Sequence, residues 1–112
     1  MTLIAILSLA LAAILGLILA SRVLKSEFAP WPLSLLHALF GAVGLVLLIA
    51  TILTGSTTQI LLVGTGVLVV AALGGFFLAS LHLKKSLAPK GVVILHAGLA
   101  VIGFLLIVST LL

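Results

Sequence analysis

The chain has 112 residues; 65% are hydrophobic, 5% are charged, none is cysteine, and the formal net charge is +4. Soluble domains carry about 25% charged residues and just under half apolar ones. Composition therefore excludes a soluble globular domain, a disordered chain and a disulfide scaffold, and leads us to expect an integral membrane protein.

In chain order, the first expected span covers residues 3–21 and carries no charge. It has no basic leader, and its apolar run exceeds that of a signal peptide, so it reads as a helix of the mature protein. Arg22, Lys25 and Glu27 follow, then Pro30-Trp31-Pro32. Trp31 sits where an interfacial aromatic anchor belongs. The second expected span covers 32–53 and contains His37, and a polar turn from Thr54 to Gln59 ends it. The third covers 60–82. His82, Lys84, Lys85, Pro89 and Lys90 mark the next boundary, and the fourth covers 90–112 with His96. Each run has the length of a transmembrane helix. Barrel strands are shorter and alternate with period 2, which these runs do not. The expected fold is all-α: a single membrane domain, 1–112, with four helices in an up-down-up-down bundle.

All basic residues fall in the first and third loops and none in the second. The positive-inside rule then puts loops one and three in the cytoplasm and both termini on the opposite side. A bacterial or archaeal plasma membrane is the expected location.

The chain also repeats itself at an offset of 59. Residues 5–53 align with 64–112 without a gap, with 18 identities in 49 positions. Apolar composition produces chance Leu and Ala matches. It does not produce Lys25 with Lys84, Pro30 with Pro89, His37 with His96 and Gly44 with Gly103 in one register. The expectation is two helix hairpins, about 5–53 and 64–112, in parallel orientation about an axis along the membrane normal. Short loops make sequence neighbours antiparallel partners. Helices two and four then stand across the core, with His37 facing His96 at one depth.

Polar side chains at that depth are costly and need a partner. Two at pseudosymmetric positions point to one shared partner on the axis. Small residues flank them: Gly41 and Gly44 on helix two, Ala100 and Gly103 on helix four, Gly16 and Gly75 on helices one and three. Such residues permit close approach of backbone to a ligand, and they are also ordinary transmembrane packing signals. The pattern leads us to expect one haem b, with His37 and His96 as axial ligands of the iron. Arg22, Lys25, Lys84, Lys85 and Lys90 would be the partners of its propionates. His82 has Val23 at its repeat position and is expected at the interface, where it snorkels or joins the lysines as a propionate partner, a solvated surface residue being the default reading.

The function expected from these residues is electron transfer by a membrane b-type cytochrome. The alternative is a cofactor-free structural or quinone-contacting subunit of a larger membrane complex. There is no Ser-His-acid set and no phosphate loop, so an electron carrier or redox-complex subunit is expected rather than a stand-alone enzyme. Expected partners are the lipid bilayer and a redox protein or second copy, with no nucleic acid. The arrangement is similar in architecture to small four-helix b-type cytochromes and to haem-bearing anchor subunits of respiratory enzymes. No family-specific motif covers the chain.

Overall fold

A lipid-facing segment must satisfy its own backbone hydrogen bonds, and long runs of Leu, Ala, Ile and Val do so as helices. The computed structural model describes residues 1–55 and 57–112, and among these there is no strand. Four helices follow one another: α1 Thr2–Leu24, α2 Trp31–Thr54, α3 Gln59–Leu83 and α4 Lys90–Ser109. Each is long and apolar enough to cross a membrane, with mean hydropathy between 2.4 and 2.9. The molecule is 43 Å long, against a hydrocarbon layer of about 30 Å.

The helix ends follow from local chemistry. Pro30 and Pro89 precede α2 and α4 in extended conformation, and Pro32 sits in the first turn of α2, where no backbone donor is needed. Thr58 caps α3 by accepting the Leu61 N–H at 3.2 Å, which satisfies one of the donors left over at a helix start. α1 and α3 close with the same turn 59 residues apart. Glu27 N–H donates to Arg22 O and Ser26 N–H to Val23 O, as Ser86 does to Leu81 O and Lys85 to His82 O. This is the Schellman arrangement. Its left-handed position is filled by Ser26 (φ 61°) and Lys85 (φ 57°) rather than by glycine. The turns carry α1 and α3 through residues 24 and 83. At the other end, the Ser109 and Thr110 hydroxyls bond back to the Leu106 and Ile107 carbonyls at 2.6 Å each. From Thr110 on, the backbone N–H groups bond three residues back rather than four, and α4 stops at Ser109 rather than running to residue 112.

α1 packs along α2, and α3 along α4; α1 with α4 and α2 with α3 complete a ring. The first hairpin is antiparallel: His37 meets Gly16, and seven residues on Gly44 meets Leu9. The second repeats this, with His96 at Gly75 and Gly103 at Leu68. A β-carbon on Gly44 would lie 2.5 Å from the Leu9 side chain and 3.1 Å from the Ala5 carbonyl. One on Gly103 would lie 2.8 Å from Leu68 and 3.2 Å from the Gly64 carbonyl. Both glycines therefore let a neighbouring helix approach. This is the helix-packing reading of the two positions.

The main buried cluster occupies one half of the bundle. Ala5, Ile6, Leu9, Leu48, Leu61, Leu68 and Ile107 form a buried cluster at the end that holds the second loop and both chain termini. The other half holds a cavity, with glycine and alanine in its deeper wall and larger side chains towards its mouth. Outside, large apolar side chains are exposed all round, Leu53 by 78% and Phe76 by 71%. Helices apolar on every face are compatible with lipid as their surroundings.

Candidate functional site

His37 lies six residues inside α2 and His96 six residues inside α4, about 9 Å along each axis. Their rings meet across the bundle with centroids 6.2 Å apart and planes at 87°. Each ring is held by the other helix of its own hairpin. His37 Nδ1 lies 2.8 Å from the Ala12 carbonyl oxygen, and His96 Nδ1 lies 2.7 Å from that of Ala71. A carbonyl only accepts, so both Nδ1 atoms carry hydrogen and donate. In a neutral imidazole the second nitrogen, Nε2, then presents a lone pair. Among the described residues neither Nε2 has a hydrogen-bond partner.

These bonds depend on a glycine one turn further along. The Ala12 carbonyl is already the helical acceptor for residue 16, and its second lone pair is reachable because residue 16 has no side chain. A β-carbon on Gly16 would stand 2.8 Å from His37 Cε1, and one on Gly75 would stand 3.1 Å from His96 Cε1. Each glycine thus seats an imidazole and exposes a carbonyl to it.

The two histidines lie at the inner end of a cavity of about 250 Å³ that reaches the first and third loops. Gly16, Gly75, Ala20, Ala79, Ala38 and Ala97 line its deeper part, each with its counterpart 59 residues away. Ala100 lines it too, whereas Gly41 lies outside the lining, its nearest foreign atom being the Ala12 β-carbon at 3.9 Å. The expected ring of small residues is therefore split. Gly16, Gly75 and Ala100 face the cavity, while Gly41, Gly44 and Gly103 face α1 or α3.

The mouth is not symmetric. Phe28, Trp31, Ser34 and Glu27 come from the first half, His82 and Ser86 from the second. Trp31 stacks on His82 at 3.8 Å with planes 9° apart, and Phe28 meets His82 edge-on at 4.6 Å. Among the described residues, His82 Nε2 is buried without a hydrogen-bond partner. The ring as a whole is half-buried, and it is the Nε2 end that stacking withdraws from water. Trp31 likewise belongs to this cluster as well as to the helix end. One signal could have identified the pair. The 59-residue register puts Val23 opposite His82 and Lys90 opposite Trp31, so both positions break the repeat.

Arg22, Lys25, Lys84, Lys85 and Lys90 are all exposed and none lines the cavity. Arg22 approaches Glu27 at 3.9 Å on the surface, where such pairs contribute little. Among the described residues there is no group of three or more His, Cys, Asp or Glu side chains that could hold a metal ion. Two imidazoles are what the protein offers, so a bound metal would need its other donors from a ligand. Comparison with known protein families, curated proteins and solved structures finds no match.

Proposed function

We propose that this chain is a membrane b-type cytochrome that carries electrons through one haem held between His37 and His96. The supporting observation is the pair of imidazoles, each anchored through Nδ1 to a backbone carbonyl and standing 6.2 Å apart. A metal–imidazole bond is about 2 Å and the ring centre lies roughly 1 Å beyond the nitrogen, so imidazoles on opposite sides of one metal have centres about 6 Å apart. Hydrogen bonding through the remote nitrogen is the usual way a protein fixes a metal-binding histidine. A tetrapyrrole brings its own equatorial donors, which suits a site with two protein ligands. Held by His37 and His96, a haem would supply one-electron transfer rather than oxygen binding.

The same reading takes the chain as two parallel hairpins, produced by duplication and inserted in the bilayer. The recurrence of histidine seats, helix-closing turns and glycine contacts at an interval of 59 supports it. By the distribution of Lys and Arg, the cavity opens on the cytoplasmic side. A quinone or a redox protein is the expected exchange partner.

A second reading has its own support. The Nδ1–carbonyl bonds already tie α1 to α2 and α3 to α4, as a cofactor-free structural or quinone-contacting subunit would require. A dithionite-reduced minus oxidised absorption spectrum of the purified protein in mild detergent separates the two. Sharp low-spin bands with a single haem per chain are expected, and replacing either His37 or His96 by alanine should remove them. A featureless spectrum from cells supplied with haem would leave the structural reading in place.

A further inference from the structure

His82 lies seven residues beyond Gly75, about 10 Å along α3 from the histidine pair toward the mouth. That is comparable to the reach from the centre of a tetrapyrrole to the ends of its carboxylate arms. His82 lines the cavity mouth, the Trp31 stack fixes the plane of its imidazole, and among the described residues its Nε2 has no hydrogen-bond partner. Packing alone would be served as well by an apolar residue, and Val23 occupies the same position in the other half. The exposed cations stand outside the lining, and the carboxylate at the mouth, Glu27, faces Arg22.

We propose that His82 is the polar anchor of the cavity, donating a ring N–H to a carboxylate on the rim of the planar ligand held between His37 and His96. The assignment rests on the cofactor reading above and replaces the lysines as the carboxylate's partner. A hydrogen bond to an ionised acceptor is among the stronger ones, and at a mouth shielded by Trp31 and Phe28 it is less screened than on the loop surface. A fixed donor also needs less ordering on binding than a mobile lysine.

The test titrates apo-protein, purified in detergent from haem-limited cells, with ferric protoporphyrin IX and with its dimethyl ester, which lacks the carboxylates. The quantity read is the affinity ratio of acid to ester. His82→Ala should lower that ratio by about tenfold, the scale of one charge-assisted hydrogen bond, while keeping the low-spin spectrum. His82→Gln, which retains a donor, should keep most of the preference, and Lys84→Ala should leave it unchanged. An unaltered ratio in His82→Ala, an equal fall in Lys84→Ala, or a glutamine variant as indifferent as the alanine one would each overturn the anchor while leaving the haem in place. Failure of the wild-type protein to give a low-spin spectrum with either compound would overturn the cofactor reading and the anchor together.

Discussion

Gly16 and Gly75 show how far one missing side chain reaches. A β-carbon at Gly16 would press on the His37 ring at 2.8 Å and obstruct its access to the Ala12 carbonyl. Gly75 has slightly more room, at 3.1 Å. Gly66 has nothing within 4 Å and serves as the control, whereas Gly64 does not, because its β-carbon would meet Ile107 at 2.8 Å. Gly16→Ala should therefore destabilise the protein by roughly 1–3 kcal/mol, the usual cost of overpacking, and Gly75→Ala by less. Gly66→Ala should be neutral or stabilising by up to about 1 kcal/mol, since alanine is the better helix former. Thermal unfolding in detergent gives the order. Equal melting temperatures for the Gly16 and Gly66 variants would mean that the imidazole moves aside freely.

At the scale of the element, each hairpin is closed by a tight turn and a histidine staple. The turns after α1 and α3 place Ser26 and Lys85 in the left-handed region, at φ 61° and 57°. That conformation costs an L-residue on the order of 1 kcal/mol, and glycine avoids the cost. Ser26→Gly and Lys85→Gly should each raise stability by up to about 1 kcal/mol, offset in part by glycine's greater freedom in the unfolded chain. The change should appear as a higher midpoint in denaturant with no change in spectrum. A lower midpoint for both would show that the side chains contribute more than the strain costs. Ser8 adds a second cross-link to the first hairpin, donating to the Phe40 carbonyl at 2.7 Å. Val67 stands at its repeat position, so this bond has no counterpart in the second hairpin.

At the scale of the molecule, the bundle divides into a packed half and a hollow half. Leu, Ile and Ala fill the end near the second loop, and glycine and alanine leave space near the first and third. The packed half does not depend on a ligand, so the bundle should assemble with the cavity empty. Charge divides the molecule the same way, because all the cations lie at the hollow end. Thr57→Cys, in the second loop, should accordingly be modified by a membrane-impermeant thiol reagent added to intact cells. Modification only after lysis would reverse the topology and place the cavity mouth on the outer side.

Much of this was legible in the sequence because it is local. Long uncharged runs specify helices long and apolar enough to span a membrane, since the alternative leaves backbone groups unpaired in hydrocarbon. The register of 59 brings His37 and His96 to one depth before any packing is known. Helix rotation was not legible. A helix apolar on all sides has no polar face to mark its orientation, so the sequence could not say which small residues turn inward. Tertiary packing decided it, turning Gly16 and Gly75 to the histidines and Gly44 and Gly103 to Leu9 and Leu68. The Ala12 and Ala71 carbonyls were invisible for a similar reason, because a backbone acceptor leaves no mark in side-chain chemistry. The stacking of Trp31 on His82 joins two helix ends far apart in the chain, and only the closed ring of helices brings them together.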